Sequence, residues 1–186
     1  MQGTIIEGSH NSLSYSKPKY WYQWIFYPWA RCQSKNILEQ YDSGIRYFDI
    51  RVRFDKNNNI IFCHNFTIFD ISKNEVLFDL IPISKDSYFR IVLDYRTPPK
   101  AIYQILFKEF VLQLNDLGLM IHSAILLWNG ENIFTNIVDD IKYESDYASY
   151  SNTIFKYLPP IFYKWFNKRK QFPVTEGFKC YLRDFV

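Results

Sequence analysis

Hydrophobic and polar residues alternate most clearly over residues 44–54. Alternation with β-branched and aromatic residues predicts a strand, in which side chains two apart share a face. Phe48, Ile50, Val52 and Phe54 then point one way, and Asp49, Arg51 and Arg53 the other. An ordinary surface strand turns its charges to water, so the use of this polar face is the first question the chain raises.

The same reading places a strand over residues 4–7, running into the turn-rich loop Gly8-Ser9-His10-Asn11-Ser12. An aromatic segment over residues 17–33 is interrupted by Pro28. A short helix is expected over residues 35–42, with Ser34 as N-cap and Gly44 as its stop. Residues 55–59 form a polar turn between the alternating strand and another at residues 60–64, a hairpin-like pair. Ser72 or Asn74 starts a small helix in the harder stretch that follows. A strand at 90–95 precedes a helix at 101–117, in which Ile102, Leu106, Phe110 and Leu114 recur every fourth residue and Gly118 is the stop. Strands at 123–128 and 178–185 complete the set, with a helical segment at 150–166 broken by Pro159 and Pro160.

Strands separated by helical segments imply an α/β fold with a mainly parallel sheet. Polar candidates fall at the C-terminal ends of several strands: His10, Asp49 with Arg51, His64, Asp94 and Asp184. In a (β/α) barrel those ends converge on one mouth. No glycine-rich phosphate loop follows the first strand, which argues against dinucleotide binding. A barrel of this kind typically takes about 250 residues, and this chain has 186. The expectation is therefore a compact, trimmed or irregular TIM-type barrel, one domain over residues 1–186.

Composition narrows the class. Hydrophobic residues make up 48% and charged residues 22%, as in a globular domain. Aromatics reach 20%, in part the signature of AT-rich codons. A net charge of +3 with no dense basic run permits attraction to anionic phosphates or membrane surfaces and does not demand a nucleic-acid partner; none is expected. Three cysteines without paired spacing, Cys32, Cys63 and Cys180, argue against a disulfide framework and for a reducing compartment. Cys63 and His64 are neighbours on a strand and face opposite ways, so they do not readily share one ion. Without an apolar run of transmembrane length or room for a signal peptide, the expectation is a cytoplasmic protein, or one peripheral at an intracellular membrane surface.

Two histidines and an arginine have a clear chemical use. Opening a phosphodiester needs a base for the attacking hydroxyl, an acid for the leaving oxygen, and positive charge on the phosphoryl oxygens. Histidine serves either proton role near neutrality, and arginine presents a planar charged fork suited to phosphate. The ordered motifs resemble those of the phosphatidylinositol-specific phospholipase C X-domain family. Gly8-Ser9-His10-Asn11-Ser12 looks like its first catalytic motif, and Trp29-Ala30-Arg31-Cys32-Gln33 its Trp-x-x-x-Gln segment. The stretch from Gln40 to Arg51 resembles its second motif. Phe62-Cys63-His64-Asn65 is similar to its third, and Arg183-Asp184-Phe185-Val186 looks like the final barrel strand. Order and spacing match from residue 3 to 65 and thin out beyond residue 96.

The resemblance implies roles. His10 is the general base and His64 the general acid, Arg51 binds the phosphate, and Asp49 orients Arg51 or a histidine. Asp184 holds His10 in its tautomer, and Asp94 falls where the family has either an acidic ligand or a polar substrate contact. Asn11 and Arg53 are further candidates for substrate binding, Arg53 lying nearer the strand's rim, where a head-group contact and plain solvation are equal readings. Animal members of the family bind Ca²⁺, but Arg51 stands where they have an acid, and a guanidinium repels a cation that wants six to eight oxygens. No cofactor is therefore expected, with Ca²⁺ the weaker alternative. The expected substrate is phosphatidylinositol or a related phosphodiester at a membrane surface. A binding module without catalysis, or a metal-dependent glycerophosphodiesterase, is the rival. Each residue also has a plainer reading: His10 as a turn residue, His64 as a hydrogen-bonded core histidine, and Asp49 with Arg51 as a structural ion pair. Trp21, Trp24 and Phe26 suit a bilayer surface, but the spacing of the aromatics favours packing in the core.

Overall fold

The computed structural model describes residues 5–95, 99–128, 131–132 and 179–183, with side chains described at 6–95 and 99–121. The strands are β1 (Ile5–Ser9), β2 (Tyr47–Phe54), β3 (Ile60–His64), β4 (Thr67–Ile68), β5 (Tyr88–Tyr95), β6 (Met120–Trp128), β7 (Glu131–Asn132) and β8 (Lys179–Arg183). The helices are α1 (Tyr27–Ala30), α2 (Ile37–Asp42), α3 (Lys73–Leu80) and α4 (Ala101–Asp116). A 3₁₀ turn, Trp21–Ile25, leads into α1. The fold is mixed α/β, and the strands form one sheet.

Its parallel run is β8, β1, β2, β5, β6, so these strands all deliver their C-terminal ends to one side. β3, β4 and β7 join antiparallel. β1 and β3 share one edge of β2. Ser9 lies opposite Phe48 and Phe62 opposite Val52. Two residues past Phe62, the antiparallel register brings His64 back to the level of Ile50. The end of β1 and the end of β3 thus meet where β2 carries Asp49.

Alternation along β2 separates two chemistries, as the sequence pattern predicts. Phe48, Ile50, Val52 and Phe54 join the hydrophobic core with Phe89, Ile91 and Leu93 of β5. α3 and α4 cover that face through Val76, Leu80, Phe107, Phe110, Val111 and Leu114. On the opposite face, Tyr47 packs with Ile6 and Tyr88 below the charged residues.

Local signals account for most boundaries, with three corrections. α2 is capped by Asn36 and not Ser34: Asn36 accepts from the Glu39 N–H, and Glu39 accepts from the Asn36 N–H, a reciprocal box one residue inside the expected start. Ser72 and Glu75 repeat that box at α3. Gly44 stops α2 at φ 97°, a left-handed conformation that a side chain strains. In α4 the buried face is Phe107, Phe110, Val111 and Leu114, whereas Ile102 is exposed. A four-residue repeat drifts about 40° per step around a helix of 3.6 residues per turn, so its first member rotates off the core. The third correction concerns the aromatics. Trp21 is 83% exposed, and Trp24, Phe26 and Trp29 are about half exposed. Packing in the core is not their use, because the 3₁₀ turn and the Pro28-interrupted α1 are too short to sustain one buried face; only Gln23, Tyr27 and Ala30 turn inward. The expected helical segment at 150–166 lies outside the described residues.

Candidate active site

Asp49 has no exposed surface. Its two oxygens divide the cations around it. Oδ1 accepts from Arg90 Nη1 at 2.6 Å, and Oδ2 accepts from Arg51 Nε at 3.2 Å and from the backbone N–H of Asn11 at 3.1 Å. Burial alone pushes the carboxyl pKa up, but the Arg90 and Arg51 guanidiniums outweigh it and hold Asp49 ionised well below the usual carboxylate range. The Asn11 contact ties the loop after β1 to β2, and the Ser12 N–H adds a bond to the Asp49 carbonyl at 2.8 Å. The Gln33 side-chain amide donates to the His10 carbonyl at 3.0 Å. Asn11, at φ 45°, and the neighbours of His10 are thereby held in place.

His10 reaches Arg51 with Nε2 3.0 Å from Nη2. A guanidinium only donates, so Nε2 accepts with its lone pair. Asp49 Oδ2 lies 3.9 Å from the same nitrogen. His64 stands across the site. Its ring is 5.4 Å from that of His10, centroid to centroid, and nearly perpendicular to it. His64 Nδ1 donates to the Ala30 carbonyl at 3.0 Å, which leaves the lone pair on Nε2, where it accepts from the Asn65 side-chain amide at 3.3 Å. Burial is the chief reason its pKa sits well below the ordinary histidine value, with the charge of Arg51 adding to it.

Arg51 also approaches Asp94 at 3.6 Å, and Asp94 pairs with Arg53 at 3.6 Å. Arg53 Nε donates to the Asp94 carbonyl, and its guanidinium lies over the Tyr95 ring. The rim solvation weighed for Arg53 is therefore replaced by an ion pair, because Asp94 shares its face one strand away. Among the predicted residues, His10, Asn11, Asp49, Arg51, His64 and Asp94 converge, with Arg53 at the edge. Asp184 lies outside the described residues; β8 ends at Arg183, which is paired with Ser9 just before His10.

Two residues escaped the sequence reading. Arg90 is opposite Asp49 in the β2–β5 register. The face Arg90, Val92, Asp94 was a legible signal, but placing the start of the strand at Arg90 hid it. Cys32 is fully buried, with Sγ 3.7 Å from His64 Nδ1. Nothing in its spacing marks it, because it reaches the site from the segment after α1. Cys63 is different: burial pushes its thiol up to about 12, so it stays protonated and inert.

No family model and no curated protein matches this chain. Solved structures do. The chain is similar to bacterial phosphatidylinositol-specific phospholipase C. The Staphylococcus aureus enzyme is 22% identical, with a TM-score of 0.47, over 66% of this chain and 46% of that one. A double mutant of the same enzyme gives 23% and a TM-score of 0.49, over 66% and 47%. The Listeria monocytogenes enzyme gives 19% and 0.49, over 75% and 59%. This chain thus spans about half the length of the solved structures it matches.

Two outcomes follow from the site's electrostatics. Asp49→Asn leaves Arg90 and Arg51 buried without their anion and should cost about 3–5 kcal/mol of stability in urea unfolding. Because the folded pKa of Asp49 is depressed, its stabilisation is full above the unfolded carboxylate value and fades as pH falls below it; the variant should lose that part of the acid dependence. His64 should titrate below 6.5 in a histidine NMR titration, and Arg51→Gln should move its midpoint upward. An unchanged midpoint would remove Arg51 as a cause.

Proposed function

We propose that this chain is a phosphodiesterase of the phosphatidylinositol-specific phospholipase C type. The observation that carries the reading is the pair of perpendicular histidines 5.4 Å apart with Arg51 hydrogen-bonded to one of them. The order of the motifs from residue 3 to 65 supports it. In the proposed reaction, phosphate takes the Arg51 N–H that His10 accepts in the free site. His10 Nε2 is then released to accept the proton of the inositol 2-hydroxyl, whose oxygen attacks phosphorus. The bond from phosphorus to the glycerol oxygen breaks, and that oxygen takes its proton from His64 Nε2, which has first been protonated from solvent once the phosphate is bound. A cyclic inositol phosphodiester and diacylglycerol result. His64 is neutral in the free site, and the anionic phosphate offsets the Arg51 charge that disfavours its protonation. Asp49 and Arg90 position Arg51, and Asp184 is assigned to the second nitrogen of His10. Asn11, whose buried side-chain atoms have no hydrogen-bond partner among the described residues, is assigned to a substrate hydroxyl.

The carboxylates do not suit Ca²⁺. Asp49 and Asp94 are already engaged by Arg51, Arg53 and Arg90, and six to eight oxygens are not offered among the described residues. We assign the reaction no metal. The parallel run from β8 to β6 supports a (β/α) barrel, with the site at its C-terminal mouth.

The exposed aromatics fit the same function. Trp21, Trp24, Phe26 and Trp29 form an apolar surface, and Phe66, two residues past His64, packs against Phe26 with ring centroids 6.1 Å apart. Interfacial aromatics of this kind settle at the headgroup level of a bilayer, and we assign this surface to transient contact with the substrate membrane. No helix among the described residues is long and apolar enough to cross a membrane.

Purified chain should release cyclic inositol phosphate from phosphatidylinositol vesicles, with full activity in the presence of a chelator. His10→Ala should lower turnover by about 10²–10⁴-fold, the usual contribution of a general base. Binding of inositol phosphate without turnover would select the non-catalytic module, and strict Ca²⁺ dependence would overturn the metal-free mechanism. Trp21→Ala with Trp24→Ala should reduce co-sedimentation with phosphatidylinositol vesicles; undiminished sedimentation would place the membrane contact elsewhere.

A further inference from the structure

Cys32 takes no part in the proposed reaction, yet it completes a constellation with both histidines. One candidate ligand atom from each of His10, Cys32 and His64 lies within 4.8 Å of the other two. They arrive from three elements: the loop after β1, the segment after α1 and the end of β3. A thiol and two imidazoles are the donor set of zinc and its soft or borderline neighbours, not of Ca²⁺ or Mg²⁺. Cys63, which the sequence places beside His64, is not a member of this set.

The surroundings favour ligation. The Nδ1–H of His64 is already held by the Ala30 carbonyl, the second-shell bond that typically orients a ligating histidine through its other nitrogen, and that nitrogen, Nε2, would exchange its long bond from the Asn65 amide for the metal. The Cys32 N–H donates to Ser14 Oγ at 2.9 Å, which fixes the segment carrying the thiol. Cys32 and His64 are buried, while His10 keeps about a tenth of its side-chain surface open. That opening gives solvent access to the cluster. The ligand atoms need to draw together by about 1 Å to reach tetrahedral spacing at ordinary Zn–S and Zn–N lengths, a movement within the range of side-chain rotation.

We propose that His10, Cys32 and His64 form a binding site for a thiolate-seeking divalent cation of the zinc class, and that occupancy shuts the site off. On binding, the Cys32 thiol releases its proton to solvent and the thiolate and two imidazole lone pairs pass to the metal. Neither histidine can then exchange a proton with substrate. Arg51, hydrogen-bonded to His10, opposes a second cation. Asp49 and Asp94 compensate its charge only in part, so the site binds zinc reversibly and not as a resident structural ion. The inhibitory consequence rests on the phosphodiesterase reading, whereas binding of the metal does not.

The test uses the full chain, stripped with a chelator. Equilibrium dialysis should show stoichiometric Zn²⁺, and Co²⁺ in its place should give a thiolate-to-cobalt charge-transfer absorption. That spectrum needs no variant, so its absence from the folded wild-type chain overturns the site. Cys32→Ser and Cys32→Ala should abolish the band. His10→Ala should weaken Zn²⁺ binding by at least about tenfold, since loss of even an outer-shell partner costs that much. A band that persists in both Cys32 variants assigns the metal to another cysteine and sinks the proposal. With phosphatidylinositol vesicles, Zn²⁺ should suppress cleavage and a chelator should restore it; cleavage that continues at saturating Zn²⁺ overturns the inhibitory assignment. A chain that shows the Cys32-dependent band but no cleavage loses the phosphodiesterase reading and keeps the metal site.

Discussion

A carboxylate buried without exposed surface persists as an anion only if cations and hydrogen-bond donors replace its water. Asp49 has Arg90, Arg51 and the Asn11 N–H for that purpose. Each partner belongs to a different part of the chain. Arg90 comes from the neighbouring strand, Arg51 from two residues along the same strand, and Asn11 from the loop that carries His10. Meeting the electrostatic demand of one side chain therefore fixes the β2–β5 register, the aim of Arg51 and the course of the His10 loop together. The geometry of the site is a consequence of neutralising Asp49.

The hairpin from β2 into β3 supplies the other half. An antiparallel return places the end of β3 on the edge of β2 that β1 has just vacated, and His64 comes to stand opposite His10. Burial then separates the two histidines chemically. His64 is held neutral by desolvation and the Arg51 charge, whereas His10 keeps its lone pair turned to the Arg51 guanidinium. The exposed aromatics lie next to this pair, and the proposed membrane contact rests on them, since apolar rings left in water are stabilised when an apolar interface covers them.

Cys32 gives the site a second character. A thiol beside two imidazoles is an affinity for soft cations whatever reaction the histidines perform. Arg51 keeps that affinity in check by occupying the region with positive charge. The arginine that suits the site to phosphate is thus also what disfavours a permanently bound metal.

The alternation over residues 44–54 determined that β2 exists, and which of its faces is charged, because period-two burial is a local property of a strand. Helix stops were legible for the same reason: Gly44 and Gly118 take backbone angles that side chains resist. The motif order from residue 3 to 65 singled out His10, Asp49, Arg51 and His64. Arg90 and Cys32 were not legible, since one depends on strand register and the other on where a loop passes, and both are set by packing between distant segments. The fate of the aromatics was misjudged on that ground too: their spacing is compatible with burial, and only the brevity of the turn and α1 leaves them outside. Sequence determined the chemistry available along each element; tertiary structure decided which charges share a carboxylate and which ring faces which, because those are relations between segments that no local pattern encodes.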